Sequence, residues 1–385
     1  MNILMISDVY FPRVNGVSTS IETFRNELMQ RDVKVTLIAP AYGKHKEEGG
    51  ISRIPSKMVM FDPEDRMMRY RSITAMADVL GNQKFDLIHI QTPFVAHYAG
   101  IALANELKLP KIVTYHTFFE EYLYHYIPFL PATWMRGLAR RFSRKQCNDV
   151  DAIVVPSSAM AETLKAYGVE KPLHLIPTGI PEKMFSQGNR DVFRARHGIS
   201  LERPVLLFVG RVAFEKNIEF LLRAADIARK DIPDLMLVIA GEGPAKHSLE
   251  KLLKALHLEQ NAKMIGYMDR EKQLMDCYSA ADAFVFASRT ETQGLVLLEA
   301  MAAGLPVVST AFMGTRDILK PDSGALVPED SLESFAGQMV RVLADSALRR
   351  ELGRQAHSYA RQWSSGAMAE KMMNLYQELI TKSST

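Results

Sequence analysis

Cysteine is nearly absent from this 385-residue chain: only Cys147 and Cys277 occur, far apart, with no Cys-x-x-Cys spacing and no Cys/His cluster. A disulfide framework and a zinc ribbon are thereby excluded, and a reducing, cytoplasmic setting is expected. Long apolar runs are missing too. No stretch approaches the roughly 18–20 residues needed to span a bilayer, because Gly, Pro or a charge interrupts each one. The first apolar residues, Ile3 to Ile6, end at Ser7-Asp8 without a basic leader or cleavage pattern, so they are expected to form a buried strand and not an export signal. Charge of one sign is scarce. With 47 basic and 44 acidic residues the net charge is +3, too small to point to a partner, and no nucleic-acid partner is expected. Gly-x-x-x-x-Gly-Lys-Ser/Thr does not occur, and no Gly-x-Gly-x-x-Gly follows the first strand of either half. A P-loop is thereby excluded, and a dinucleotide-dependent dehydrogenase is not expected.

What is present is 47% hydrophobic residues, enough to bury a core in each of about two domains of roughly 100–200 residues. Short β-branched runs alternate with amphipathic helical patterns, the signature of parallel sheets covered on both faces. In the first half the strands are expected at Asn2–Ile6, Lys34–Ala39, Phe85–Ile90, Lys111–Tyr115, Asp151–Val155 and Leu173–Ile176. In the second half they are expected at Pro204–Val209, Asp234–Ala240, Ala262–Ile265, Ala281–Phe286, Pro306–Ser309 and Ala325–Val327. Pro177–Ser200 carries several Gly and Pro without periodicity and marks the junction. The fold class is therefore α/β, with two doubly wound, Rossmann-like parallel-sheet domains facing across a cleft. They are expected at 1–177 and 178–362, with a C-terminal helix at about 363–385 able to return to the first domain. Open sheets of this kind bind ligands at their carboxyl ends.

Chemistry-bearing motifs follow the strands. Gly210-Arg211-Val212-Ala213-Phe214-Glu215-Lys216-Asn217 places a Gly and two cations at a helix entrance, a pattern suited to a diphosphate. The same residues would equally make a solvated loop whose cations pair with acids. Thr290-Glu291-Thr292-Gln293-Gly294-Leu295-Val296-Leu297-Leu298-Glu299 sets two carboxylates around a helix start at Gly294. Its free N–H groups favour an anion and its carboxylates favour sugar hydroxyls. Alternatively, Glu291 caps the helix and Glu299 pairs with a surface cation. Gly241-Glu242-Gly243-Pro244 fits architecture at a Pro-initiated helix. In the first half Asn15-Gly16-Val17 follows the first strand, where Gly16 lets backbone approach a phosphate. His116 ends a strand, a place where a lone His is more often structural.

Together these motifs resemble the retaining, nucleotide-sugar-dependent glycosyltransferases of the GT-B architecture, the group of sucrose synthase and phosphatidylinositol mannosyltransferases. Thr290–Leu295 and Tyr115–Tyr122 look most like bacterial diacylglycerol glucosyltransferases. By that resemblance, Arg211 and Lys216 hold the donor diphosphate, Glu291 meets the donor sugar, and Glu299 meets the ribose. Gly294 with Leu295 forms the helix end at the donor, Gly16 lies beside the diphosphate, and His116 lies near the reacting face of the sugar. It implies a nucleotide-sugar donor, UDP-linked before GDP-mannose, a lipid or glycan acceptor, and retention at the anomeric carbon. No cofactor and no metal are implied. Asp149-Val150-Asp151 resembles a metal-binding Asp-x-Asp only superficially, since no other ligands gather near it in sequence.

A stretch from Pro131 to Lys145 carries five basic residues and no acid. On a helical wheel Trp134, Met135, Leu138 and Phe142 share one side and Arg136, Arg140 and Arg144 the other, the composition of an interfacial helix on anionic lipid. A core-packed helix with a solvated basic face is the alternative. Phe118, Phe119, Tyr122, Tyr124, Tyr126 and Phe129 are read as an acyl channel or a packed lobe. Two other classes fit the plan less well. A nucleotide-sugar epimerase would need a base and no acceptor, and a binding protein would not require four charged groups to converge on one leaving group.

Overall fold

A computed structural model describes residues 1–43, 49–59, 62–116, 132–269 and 273–384, with the backbone alone at 59, 62–65, 132–136 and 384. The chain divides into two compact units, Met1–Gly179 with Ser365–Thr385, and Ile180–Ser364.

In the first unit, strands β1 (Asn2–Ile6), β2 (Lys34–Pro40), β3 (Ile51–Ile54), β6 (Leu87–Ile90), β7 (Lys111–Thr114), β8 (Ala152–Val155) and β9 (Leu173–Leu175) form one parallel sheet in the order β3-β2-β1-β6-β7-β8-β9. Successive residues of β1 serve opposite faces, as strand geometry requires. Leu4 and Ile6 join one apolar cluster, while Ile3 and Met5 join the other. Both faces are covered, so the central strands read as unbroken apolar runs. The Ser365–Ser384 helix lays Met368, Met372, Leu375 and Tyr376 on the Ile3 face, beside the Gly16–Met29 helix. Its start is fastened by the Ser365 hydroxyl, which donates to Glu27 Oε1 at 2.5 Å.

The second unit holds β10 (Val205–Val209), β11 (Met236–Ala240), β12 (Ala262–Gly266), β13 (Ala283–Phe286), β14 (Val307–Ser309) and β15 (Ala325–Leu326), parallel in the order β12-β11-β10-β13-β14-β15. A single apolar cluster fills both faces.

Three strands are not anticipated by the sequence pattern: β3 and the antiparallel pair β4 (Ser56–Val59) and β5 (Asp62–Met68). β3 is an edge strand reading Ile-Ser-Arg-Ile, and the pair stands outside the large sheet, with Met58 65% and Met67 54% exposed. Elements not buried on both faces do not show the apolar run by which the other strands are recognised.

Candidate functional site

In each sheet the chain runs outward from a central strand to one edge and then returns to that strand's other side. The reversal falls between β10 and β13 in the second unit and between β1 and β6 in the first. At such a point the loops after neighbouring strands diverge and leave a crevice at the carboxyl ends. Arg211 follows β10 and Glu291 follows β13, so the two expected donor motifs flank the second unit's reversal.

The Arg211 loop is built on close backbone contact. Val212 N–H donates to Glu242 O at 2.9 Å, and Ala245 N–H donates to Val212 O at 3.0 Å. A side chain on Gly241 would place its Cβ 1.8 Å from Gly210 O. The Gly241-Glu242-Gly243 turn is therefore architecture, as its sequence suggests, and what it supports is the loop carrying Arg211. The Arg211 side chain is exposed, and among the described residues no hydrogen bond or ion pair engages it.

Lys216 ends a short 3-10 turn, Phe214–Lys216. Asn217 Nδ2 donates to Ala287 O at 3.2 Å and Ser288 Oγ donates to Glu215 O at 3.2 Å, tying the turn to the end of β13. That tether brings Lys216 Nζ into an ion pair with Glu291, with the two side chains 22% and 17% exposed. Gly294, at φ +92°, opens the Leu295–Ala302 helix without a side-chain cap, so Glu291 is not the cap. Among the described residues no side chain caps that end. Glu299 is not on the surface: it is 1% exposed and accepts from the Tyr278 hydroxyl at 3.0 Å.

Sequence reasoning missed Gly314. Its N–H donates to Glu291 O at 2.9 Å, and a Cβ there would lie 2.1 Å from Thr292 O. The turn after β14 is thus pressed against the Glu291–Gln293 backbone. A Gly inside Phe312-Met313-Gly314-Thr315 was the available signal.

In the first unit Asn15 caps the Gly16–Met29 helix by accepting Ser18 N–H at 2.9 Å, and Gly16 is its first residue. A Cβ on Gly16 meets nothing within 4 Å, so packing within the unit does not demand the glycine. Asp8, also unanticipated, follows the same strand as Gly16 and reaches across this reversal to the loop after β6. Its carboxylate accepts from Thr92 Oγ1 at 2.8 Å and from Ala96 N–H at 3.1 Å, and burial raises its pKa to about 6. His116 is partly exposed, with Nε2 3.1 Å from Gln91 Oε1, and burial lowers its pKa to about 4.

A model of the family "Glycosyl transferases group 1" matches residues 189–359, and "Glycosyltransferase Family 4" matches 14–183. An alpha-monoglucosyldiacylglycerol synthase of Streptococcus pneumoniae is 34% identical over 319 residues, 80% of this chain and 71% of the relative. This chain belongs to the group 1 glycosyltransferases. A second alpha-monoglucosyldiacylglycerol synthase, from Acholeplasma laidlawii, is 25% identical over 99% of this chain and 98% of its own. Among solved structures, sucrose-phosphate synthase from Thermosynechococcus elongatus superposes with a TM-score of 0.79 at 22% identity, covering 99% of both chains. The likeness supports the GT-B fold of this glycosyltransferase.

The basic segment of the glycosyltransferase forms a helix, Ala132–Asn148. Its buried line is Ala139, Ser143, Gln146 and Cys147, and Leu138 is 58% exposed. Leu138 therefore does not face the core, as the core-packed alternative would have it, because small and polar side chains occupy that side. Arg140 stands over the Tyr167 ring at 5.5 Å, and Arg144 lies 3.8 Å from Glu170, both on the exposed side. The side chains of Trp134, Met135 and Arg136, and the aromatic cluster Phe118–Phe129, lie outside the described residues. Among those described, no helix is long and apolar enough to cross a membrane, and no group of three or more His, Cys, Asp and Glu is placed to hold a metal ion. Asp151 instead accepts Lys111 N–H at 2.9 Å.

Proposed function

We propose that this glycosyltransferase moves a hexose, glucose before mannose, from a UDP-sugar to a membrane lipid such as diacylglycerol, with retention at the anomeric carbon. The supporting observation for the donor half is the Lys216–Glu291 pair at the helix end of Gly294, with exposed Arg211 across the same strand reversal. Departure of a nucleoside diphosphate builds negative charge on the leaving group. Arg211, Lys216 and the N–H groups from Leu295 onward supply fixed positive charge for it, the part a divalent ion takes in other enzymes. Glu291 is assigned to the donor sugar, Glu299 to the ribose, and Gly16 to backbone approach at the diphosphate. His116 orients the sugar or steadies its developing positive charge. No carboxylate of the first unit is assigned as a nucleophile. Retention then proceeds by attack on the face the diphosphate leaves, and a phosphate oxygen takes the acceptor's proton.

The lipid acceptor rests on the names of the two diacylglycerol-linked relatives and on the exposed basic side of the Ala132–Asn148 helix. It implies work at the inner, anionic face of a membrane.

The deciding experiment supplies UDP-glucose and diacylglycerol in anionic vesicles with excess EDTA, and reads the anomeric configuration of the product by NMR. An α-glucosyl lipid formed within a small factor of the EDTA-free rate is the expected result. Use of GDP-mannose alone, transfer only to a soluble glycan, a β-linked product or complete dependence on manganese each overturns the corresponding part. Accumulation of an epimer from donor alone would replace transfer by epimerisation.

A further inference from the structure

His89 and Gln91 are two residues apart at the end of β6, and Thr114 and His116 are two apart at the end of β7. The strands pair in the register Ile88↔Lys111, His89↔Ile112 and Ile90↔Val113. Alternate residues share a face, so all four continue the face on which Leu87 and Ile112 pack against the C-terminal helix. Two cross-strand polar tiers result. In the inner tier, His89 Nε2 meets Thr114 Oγ1 at 2.7 Å and His89 Nδ1 meets the Tyr376 hydroxyl at 2.7 Å, with all three side chains buried. In the outer tier, Gln91 Oε1 meets His116 Nε2 at 3.1 Å, with Gln91 only 4% exposed.

We propose that Gln91 is a positioning residue that holds His116 in a single tautomer, protonated on Nε2, and thereby keeps Nδ1 as the basic nitrogen. An amide oxygen only accepts, so the nitrogen facing it carries the proton. The other ring nitrogen then presents a lone pair, able to take a hydrogen bond from a hydroxyl of sugar or acceptor. The backbone that carries Gln91 is held, because its N–H donates to Ile6 O at 2.9 Å. The inner tier keeps the platform under His116 neutral. Burial lowers the pKa of His89 to about 3, and His116 adds to that lowering, so a second cation on this face is opposed. Tyr376, on the C-terminal helix, is pushed above its usual range by burial. A neutral amide partner, in place of the carboxylate that often backs a catalytic imidazole, leaves His116 uncharged at neutral pH.

The tautomer assignment stands on this geometry, and its bearing on turnover rests on the reading of His116 proposed above. The test is long-range proton–nitrogen NMR of the full-length protein with labelled histidine, with His116 assigned by its loss in His116→Gln. Wild-type His116 is expected to be neutral from pH 6 to 8, with pyrrole-like Nε2 and pyridine-like Nδ1. Gln91→Leu removes the acceptor, so the two nitrogen shifts should move toward averaging. Its kcat should fall roughly 10- to 100-fold, within the range of a mispositioned acid–base group, while KM for donor stays nearly unchanged. Gln91→Glu keeps an acceptor opposite Nε2, so it should restore the tautomer and raise the His116 pKa, moving the acid limb of the kcat profile upward. A wild-type signal with the proton on Nδ1, or shifts that do not respond to Gln91→Leu, overturns the proposal. If the shifts behave as expected but His116→Gln turns over normally, the assignment of Gln91 is upheld and the catalytic reading of His116 is what fails.

Discussion

Removing the charge of Glu291 should tighten the binding of free UDP. In the unliganded protein Lys216 is already paired, so a diphosphate must draw it away from Glu291 before using its charge. Two unit charges about 4 Å apart attract by about 4 kcal/mol at an effective dielectric near 20, and fully exposed pairs return only about 0.2–1 kcal/mol once solvation and entropy are counted. With side chains 22% and 17% exposed, this pair falls between those limits. Glu291→Gln should therefore release about 1–2 kcal/mol to the ligand, roughly a 5- to 30-fold lower Kd for UDP. Turnover should nevertheless drop, because the carboxylate assigned to the donor sugar is gone. Calorimetric titration with UDP at fixed ionic strength measures the first effect and a transfer assay the second. Lys216→Met should lose UDP affinity, and adding Glu291→Gln to it should restore none. Unchanged or weaker UDP binding in Glu291→Gln would refute the idea that the pair competes with the ligand.

The two kinds of glycine should part company. Gly314→Ala, whose Cβ would sit 2.1 Å from Thr292 O, should cost about 1–3 kcal/mol in urea unfolding and disturb UDP binding, whereas Gly16→Ala should unfold normally and lose turnover. Acid should destabilise the first unit. His89, His97 and His116 have folded pKa values of about 3, 4 and 4 against 6.5, so unfolding takes up protons and stability is lost as pH falls below 6.5. Asp8, raised to about 6 from 3.8, works in the opposite sense and releases one. Near pH 5 the net uptake is about two protons, a fall of about 2.7 kcal/mol per pH unit in urea-melt stability. A flat profile between pH 6 and 4 would contradict those shifts. Replacing Arg136, Arg140 and Arg144 with Ser should release the protein from anionic vesicles in a sedimentation assay and leave UDP affinity intact, with loss of the Tyr167 and Glu170 contacts costing little stability. Unchanged sedimentation would return that helix to a packing role.

The fold was legible where burial on both faces makes a strand speak through its own sequence. β1, β10 and β13 are nearly continuous apolar runs, and each is followed at once by a loop to which a donor-binding role is proposed. The edge strand β3 and the β4–β5 pair were not legible, since β3 and β4 have only four residues each and the seven of β5 read Asp-Pro-Glu-Asp-Arg-Met-Met, too few apolar positions to set a period. Within the site, the residue types of Arg211, Lys216, Glu291 and Glu299 could be read from spacing, but their partners could not. Spacing put Glu299 about one turn into a helix, and nothing local showed that the helix would be buried around it with Tyr278, 21 residues earlier, donating to its carboxylate. The Lys216–Glu291 contact bridges 75 positions and depends on Asn217 and Ser288 holding one turn against the end of another strand.

The glycines carry this argument one step further. A glycine in a loop after a strand is ambiguous in sequence, because internal packing and ligand approach select the same residue. The structure separates the two by what a Cβ would strike. Gly241 and Gly314 face backbone of the same unit at distances no side chain could occupy, so their identity follows from the fold alone. Gly16 faces nothing in its unit, and its helix is already capped by Asn15, so neither packing nor helix initiation accounts for it. On the reading proposed above, the requirement is imposed from outside the unit, by the donor. A bound phosphate reached by the N–H groups of the first helical turn would impose it, since a side chain at this position would stand between backbone and anion.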